Sequence, residues 1–585
     1  MIDRSSVEDQ LDPRLVEEDL DLDVAVVGAG IGGLYAGYRL TTGEYRDGPY
    51  AGRRPRVHVF ELGDRVGGRL HSVILPGMDI AGELGGMRYL ESMKIVTGLI
   101  ESVFADELEH VDFSMGNPAT HFFYLRKQRF RANAWKQAQE QGQRFHTRYH
   151  LNDADVGLSA YQLFDKVAYD VLMADPEIRG QYGDKMRPEG HDYAFKLSAR
   201  DWDAIKPAVR YCFPGPFKGM RVNDLGFWNL LTDRVSEEGL QFLADAGGYY
   251  SNTINWNAAE AFLTMVGDFT GMSVEYKTIK GGYDLVAYAL AKALLAQRDA
   301  KIWKGNGVVD VRPAPTGSAR RYQLKIANQA TGREWKVNAD AVVLAIPRRS
   351  LELLDRDPAY LSLYDGAAGR AFRKHVGTVI IQQSMKILMG FERPWWKEDF
   401  EATAGESITD LPMRQCYYFG TDSKNKHSLF LSSYNDIDTV SFWRTLESEE
   451  LFEPRATAIV SQSEVDAIRD LQAPKVMVAE SLEQVRELHG AANPIPAPYV
   501  TYYKDWSHEP FGGGYHAWDA GVDVAEVMRY MRRPSPREEI HVCGEAYSDQ
   551  QGWAEGALCE AEKMLQEHFG MQWPTWLERD YYLGW

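Results

Sequence analysis

The sequence lacks the features of a disulfide-stapled, zinc-binding, membrane-spanning or nucleic-acid-binding protein. It has only 4 cysteines in 585 residues and no CxxC pair, so neither a disulfide framework nor a metal site is indicated. No apolar run approaches the roughly 18 residues that a membrane span needs. Acidic residues outnumber basic ones by 84 to 65, giving a net charge of −19. This charge disfavours nucleic acid and anionic membranes as partners.

The amino-terminal segment is acidic and has no apolar core of the kind found in secretion signals. We therefore expect a cytoplasmic protein. Five of the seven residues from Glu17 to Asp23 are acids, which predicts that residues 1–20 form a solvated acidic leader and that order begins near residue 22. A homo-oligomer such as a dimer is compatible with this composition.

A glycine-rich turn follows the first predicted strand, Leu22–Val27. The turn has the spacing G-x-G-x-x-G, with glycines at Gly28, Gly30 and Gly33, and it opens a predicted helix. A second predicted strand, Val57–Phe60, ends at Glu61, whose carboxylate can accept hydrogen bonds from ribose hydroxyls. This pattern predicts a Rossmann-type βαβ unit whose helix N-terminus faces the diphosphate of a dinucleotide.

The residues after Glu61 favour FAD over NAD. Arg65, Gly68 and Arg69 suit a loop around a diphosphate and the flavin end of a long cofactor. With the glycine turn, this segment resembles the flavin amine oxidase family, which has an Arg-x-Gly-Gly-Arg run after the acid. The resemblance continues in islands from about residue 22 to 568.

The resemblance implies a fold class and a cofactor site. The fold is expected to be α/β (α+β multi-domain), with a discontinuous Rossmann-type FAD-binding domain of residues 21–93, 275–350 and 535–570. A helical and substrate-binding region would span 94–274, and an interleaved substrate-binding domain would span 351–534. Since residues 511–515 contain no cysteine, we expect non-covalent FAD. Besides the residues above, the expected FAD contacts are Gly86, Met87, Arg88, Val308, Gly544, Glu545, Gly552, Trp553 and Ala554.

Arg88 indicates the substrate class. In the L-amino acid oxidases, the arginine of a Gly-x-Met-Arg segment binds the substrate carboxylate, and Arg88 stands at the matching position. A guanidinium fork suits a carboxylate better than an ammonium does. The resemblance also brings a tyrosine to the carboxylate, at Tyr434, with Tyr417 and Tyr418 as nearby competitors.

The same resemblance supplies the remaining site residues. The Gly552 carbonyl is expected to face the substrate amine, while Trp553 and Trp506 form aromatic walls. Lys386, a charged residue in an apolar strand, is the expected catalytic residue and would hold a water at flavin N5. Burial would lower its pKa, whereas an exposed edge-strand lysine is the alternative.

These expectations combine into FAD-dependent oxidative deamination of an L-α-amino acid. Hydride transfer from Cα to flavin N5 would give an imino acid, then a 2-oxo acid and ammonia, with molecular oxygen reduced to hydrogen peroxide. The close alternative is an L-amino acid 2-monooxygenase of the lysine or tryptophan type, which yields an amide and CO2.

Two further alternatives are a polyamine or monoamine oxidase and a non-catalytic binding protein on the FAD fold. The accepted side chain and the base that deprotonates the substrate are not indicated. For a cationic side chain, the first carboxylates to examine are Asp201, Asp203 and Asp245.

Overall fold

The protein has a mixed α/β architecture with two large sheets and a separate helical core, as the sequence predicts. The computed structural model describes residues 2–14, 20–266, 275–354 and 366–585. In these ranges no helix combines the length and the apolar character required to span a bilayer. The helices are Arg4–Glu8, Ile31–Thr42, Lys94–Gly98, Ala134–Glu140, Ala160–Ala174, Pro176–Tyr182, Ala199–Ile205, Phe227–Arg234, Glu237–Ala246, Ala258–Thr264, Leu285–Leu295, Arg348–Leu354, Gly366–Val376, Trp395–Phe400, Asp438–Arg444, Gln462–Asp466, Lys475–His489, Val524–Arg532 and Ala554–His568.

The first sheet is mostly parallel and takes its strands from distant parts of the chain. Its central strand, Leu20–Val27, has parallel neighbours on both sides. That strand is buried from residue 22 onward, which explains the apolar run from Val24 to Val27. The strand order is Ala300–Trp303, Val57–Phe60, Leu20–Val27, Glu334–Leu344, Tyr322–Asn328 and Asn306–Pro313, with Ile540–Val542 also paired to Glu334–Leu344.

The second sheet is mostly antiparallel and carries Lys386 and Tyr434 on adjacent strands, directly opposite each other. Its order is Val500–Asp505, Ser384–Phe391, Ser428–Asp436, Gln415–Thr421, Glu406–Thr409, Phe122–Leu125 and Gln128–Arg131. Four smaller sheets pair Val379–Gln382 with Tyr515–Trp518, Ser72–Ile74 with Ala81–Glu83, Met186–Glu189 with Asp192–Phe195, and Tyr276–Ile279 with both Tyr89–Leu90 and His110–Asp112.

The region 94–274 is less uniformly helical than the sequence predicts. Its helices share a hydrophobic core, but the strands Phe122–Leu125 and Gln128–Arg131, which contribute Phe123 and Leu125 to that core, belong to the second sheet. The hairpin between them turns at Arg126 and Lys127, with φ of 49° and 61°. Glycine and asparagine are the residues that signal such a turn, so nothing in the local sequence marked it.

The prediction of a solvated leader is wrong for residues 2–14. Ile2, Val7 and Leu11 are buried in the core beneath the first sheet. Arg4 forms a salt bridge with Asp284, whose side chain is almost wholly buried. Three apolar contacts and one buried charge pair therefore anchor this segment, despite its acidic composition. The acidic run at Glu17–Asp23 lies partly outside the described residues.

Candidate active site

A single large cavity brings together nearly all of the predicted site residues. Its volume is about 640 Å³, and it lies between the first sheet, the second sheet and the helical region. Gly33 and Arg65 are the predicted residues that do not line it. Those that do are Gly28, Gly30, Glu61, Gly68, Arg69, Gly86, Met87, Arg88, Val308, Lys386, Tyr434, Trp506, Gly544, Glu545, Gly552, Trp553 and Ala554.

The three glycines of the first turn meet three different steric demands. Gly28 has a φ of 97°, and a Cβ there would lie 2.6 Å from the carbonyl oxygen of Ala345. A Cβ at Gly33 would lie 2.0 Å from the Gly28 carbonyl oxygen, so only glycine allows the helix to pack this closely on the strand. A Cβ at Gly30 would meet nothing within 4 Å. Gly30 therefore leaves open space at the N-terminus of helix Ile31–Thr42, where a diphosphate would bind.

Glu61 stands beside this turn, at the end of strand Val57–Phe60. Its carboxylate accepts hydrogen bonds from the backbone N–H groups of Ala29 at 2.8 Å and Gly63 at 2.7 Å. Burial raises the pKa of Glu61, although these two bonds oppose the shift. The carboxylate is thus fixed at the rim of the cavity, where a ribose hydroxyl can reach it.

Arg65 does not face the cavity as predicted. Its guanidinium donates to the carbonyl oxygens of Val66 and Leu70, both at 3.0 Å, and to that of Gly68. Arg65 therefore shapes the loop from inside, because three carbonyls converge on its fork. Sequence spacing gives no indication of this inward orientation.

Arg69 is held by Glu545 from the carboxyl-terminal part of the chain. Its Nη1 donates to Glu545 Oε2 at 2.7 Å and to the Gly514 carbonyl at 3.0 Å. Glu545 Oε1 also accepts from the backbone N–H of His516 and of Gly552. Burial alone would raise the pKa of Glu545, but the charges of Arg69 and His516 hold that pKa well below its usual range. One carboxylate therefore fixes three segments of the cavity wall.

Lys386 is buried, with a side chain directed at the loop that precedes Arg88. Its Nζ donates to the carbonyl oxygens of Glu83 at 3.2 Å and Gly85 at 2.6 Å. Burial lowers the pKa of Lys386 to about 7. Trp506 braces the same loop through a 2.8 Å hydrogen bond from Nε1 to the Leu84 carbonyl. The alternative of an exposed edge-strand lysine is wrong, because Lys386 is 2% exposed.

Arg88 is held by aromatic rings instead of an acid. Its Cζ lies 3.9 Å from the ring centroid of Tyr276 and 5.5 Å from that of Phe113. Its Nη1 approaches the sulfur of Met115 at 3.0 Å. Among the described residues, no carboxylate lies within salt-bridge distance of Arg88. Burial opposes the charged form of Arg88, while Tyr417, Tyr276, Tyr249 and Glu406 raise its pKa. Arg88 therefore faces the cavity without a direct carboxylate partner among the described residues.

Of the three candidate tyrosines, only Tyr434 lines the cavity. Its ring lies 4.4 Å from Lys386 Nζ. The hydroxyl of Tyr417 donates to Gln415, and that of Tyr418 hydrogen-bonds His489 in the hydrophobic core behind the sheet. Strand alternation sends Tyr417 and Tyr418 to opposite faces. Tyr417 packs on the same face as Tyr434, with its ring centroid 6.0 Å from Arg88 Cζ, but it does not line the cavity.

Tyr515 and Ser251 also line the cavity but were not identified from the sequence. Tyr515 stands beside Gly552, since a Cβ built at Gly552 would lie 3.7 Å from Tyr515 Cδ2. The local sequence signal for Tyr515 is the preceding run Gly512–Gly514. The prediction from this segment concerned only its lack of cysteine. Ser251 had no signal, because its place depends on contacts with a distant strand.

The carboxylates suggested for a cationic side chain are not at the cavity. Asp201 pairs with Lys185, and Asp245 accepts from Tyr149. None of Asp201, Asp203 and Asp245 is among the lining residues. Glu260 and Asp549 line the cavity instead, and both bind the buried Lys206, at 3.0 Å and 2.6 Å. The carboxylates at the cavity are therefore not the ones that the sequence suggested.

Comparisons with known proteins give a matching family model and several similar proteins. The family model described as flavin containing amine oxidoreductase matches residues 31–563. Aplysianin-A from Aplysia kurodai is 25% identical, with 94% of this chain and 91% of that protein covered. L-amino-acid oxidase 4 from Hebeloma cylindrosporum is 21% identical, with 95% and 83% covered. A solved putrescine oxidase bound to putrescine has a TM-score of 0.56 at 17% identity, covering 94% and 99%, which shows the fold alone.

Proposed function

Because the chain belongs to the flavin-containing amine oxidoreductase family, we propose that it is an FAD-dependent L-amino acid oxidase. The observation that carries this proposal is Arg88, an arginine on the cavity wall without a carboxylate partner among the described residues. A substrate carboxylate would neutralise that charge and accept two hydrogen bonds from the guanidinium. Several relatives are L-amino-acid oxidases by name.

The residues around the glycine turn fit FAD. Gly30 leaves space for a diphosphate at a helix N-terminus, and Glu61 is fixed where it can accept ribose hydroxyls. Bound FAD supplies the two-electron acceptor for oxidation of the Cα–N bond. The four cysteines lie away from the cavity lining, which favours non-covalent binding.

The protein's own residues would orient the substrate between two fixed groups. Arg88 and the Tyr434 hydroxyl would hold the carboxylate, and the Gly552 carbonyl would accept a hydrogen bond from the amine. One donor contact to the carboxylate and one acceptor contact to the amine would fix the direction of the Cα–H bond. Fixing that direction on binding lowers the entropy cost of the reaction step. Trp553 and Tyr515 would exclude water from the amine.

Lys386 would move or position a proton at the reacting edge of the cavity. Two carbonyls hold its Nζ in place, and its pKa near 7 allows both protonation states at neutral pH. Because the Lys386 amine is fixed, a water hydrogen-bonded to it would be held in a defined position. Lys386 is therefore the proposed catalytic residue.

The substrate class distinguishes this proposal from an amine oxidase. Putrescine, the ligand of a structural neighbour, has no carboxylate for Arg88 to bind. Purified holoenzyme should release hydrogen peroxide with at least one of the twenty L-amino acids and not with the corresponding decarboxylated amine. The reverse preference would refute the proposal.

The fate of the imino acid is read from the product. Mass analysis should show a 2-oxo acid and ammonia, with one peroxide formed for each substrate consumed. An amide with CO2, and no peroxide, would identify the monooxygenase outcome instead. A colourless protein that gains no flavin absorbance on incubation with FAD would favour a non-catalytic role.

A further inference from the structure

A buried carboxylate lies directly behind the cavity wall. Asp436 ends the strand Ser428–Asp436 and is 1% exposed. Its two oxygens accept from the backbone N–H groups of Tyr250 at 3.0 Å and Ser251 at 2.8 Å. In the part of the chain that the structure describes, no lysine, arginine or histidine forms an ion pair with it. Burying a carboxylate that has hydrogen bonds but no cation partner costs free energy of folding.

Two hydroxyl groups connect Asp436 to the cavity. The Tyr515 hydroxyl lies 3.4 Å from Asp436 Oδ2 and 2.6 Å from Ser251 Oγ. Both Tyr515 and Ser251 line the cavity, and the Tyr515 ring stands beside Gly552. The hydroxyls of Tyr515 and Ser251 therefore link two residues of the cavity wall to a buried acid.

The proposed reaction needs such an acceptor. An amino acid reaches the enzyme mainly as its ammonium form, whereas oxidation of the Cα–N bond requires the nitrogen lone pair, so one proton must leave first. Lys386 donates to the backbone carbonyls of Glu83 and Gly85. Glu260 and Asp549 are already bound to Lys206. Asp436 is free of any such cation among the described residues.

The surroundings of Asp436 suit proton uptake. Burial raises its pKa, while the positive charge of Arg414 and the N–H groups of Ser251 and Tyr250 oppose that shift. Tyr434 in the same strand and Tyr515 in strand Tyr515–Trp518 also face Asp436. Burial raises the pKa of Tyr515 well above its usual value, so Tyr515 stays neutral and can pass a proton on.

We propose that Asp436 receives the ammonium proton of the substrate through Tyr515 and Ser251. An N–H bond of the ammonium breaks as the proton passes to the Tyr515 oxygen. The hydroxyl proton of Tyr515 moves to Ser251 Oγ, the hydroxyl proton of Ser251 moves to Asp436 Oδ2, and an O–H bond forms on the carboxyl. The substrate becomes a neutral amine, Tyr515 and Ser251 keep their proton count, and Asp436 becomes neutral. This step rests on the proposed function.

The test is the pH dependence of anaerobic flavin reduction in the holoenzyme. Three variants interrupt the path: Asp436→Asn, Ser251→Ala and Tyr515→Phe. The last two leave Asp436 and its backbone hydrogen bonds intact, so they still test the path if Asp436→Asn fails to fold. In the wild type, kcat/KM should stay high well below the ammonium pKa of the free substrate. In all three variants the rising limb of the pH profile of kcat/KM should move up to that ammonium pKa. At neutral pH kcat/KM should fall about 100-fold, and alkaline pH should restore it.

Asp422→Asn is the matched control, because Asp422 is also a buried aspartate, directly after strand Gln415–Thr421 of the second sheet, and accepts backbone N–H groups. Its pH profile should equal that of the wild type. An equal loss at every pH in the relay variants, or no loss, would overturn the proposal. If no L-amino acid reduces the wild-type flavin while an amine does, the proposed function fails, and the same pH series with that amine still decides the relay.

Discussion

Replacing Arg88 by methionine should remove the preference for amino acids over amines. Methionine keeps the apolar packing against Tyr276 and Phe113 but has no charge and no N–H donors. Arg88 has no salt bridge to a described carboxylate, so its loss leaves no acid unpaired and the protein should still bind FAD. The expected defect is therefore confined to the substrate.

The magnitude follows from the hydrogen bonds that the guanidinium would form. A hydrogen bond to a charged group contributes about 1.5–3 kcal/mol, so losing a two-pronged pair raises the barrier by about 3–6 kcal/mol. Since 1.4 kcal/mol is tenfold, kcat/KM for the best L-amino acid should fall about 100- to 10,000-fold. The amine formed by decarboxylating that substrate should react no more slowly with the variant than with the wild type.

The assay is stopped-flow reduction of the flavin by the amino acid and by its amine. Arg131→Met provides the control, because the Arg131 guanidinium lies 3.9 Å from the Phe122 ring, as Arg88 does from Tyr276, yet it does not line the cavity. That variant should keep wild-type kinetics. A similar loss with both substrates in Arg88→Met would refute the carboxylate role.

Three further perturbations test other parts of the site. Lys386→Met should abolish a titration near pH 7 in flavin reoxidation, since the buried Lys386 amine is neutral above its pKa of about 7 and charged below it; persistence of that titration would exclude Lys386. Gly30→Ala should weaken FAD binding by about 10- to 100-fold without lowering the melting temperature of the FAD-free protein, because the new Cβ enters the cavity; Gly180→Ala, equally uncrowded, should change neither. Arg39→Met should lower the free energy of unfolding by about 3–5 kcal/mol, because it leaves the buried Glu562 unpaired, and adding Glu562→Gln should restore much of that loss in calorimetry; an unchanged melting temperature in the single variant would contradict this.

The parts of the fold that could be predicted were those with a local signal. Leu22–Val27 and Val57–Phe60 are mainly apolar, apart from Asp23 and His58, because both faces of a parallel strand are buried. The glycine turn was identifiable because Gly28 and Gly33 meet backbone constraints that other residues cannot meet, while Gly30 leaves space for a ligand. Lys386 stood out as a charge in an apolar strand, and the structure places it at the cavity.

The parts that could not be predicted depend on contacts between distant residues. Arg4 and Asp284 are 280 positions apart, so an acidic leader gave no sign of its anchorage. The turn at Arg126 and Lys127 uses residues that usually avoid positive φ. Arg65 and Arg69 look equivalent in the sequence, yet one faces its own loop and the other faces Glu545. Side-chain direction in a loop is decided by partners that local sequence does not name.

The order of strands in the first sheet has a consequence for biosynthesis. Leu20–Val27 pairs with Glu334–Leu344, which in turn pairs with Ile540–Val542. A ribosome therefore has to reach Val542 before the sheet that carries the glycine turn can close. Glu545, which holds Arg69 and Gly552, emerges even later. Nascent chains stalled before residue 540 should consequently be unable to retain flavin.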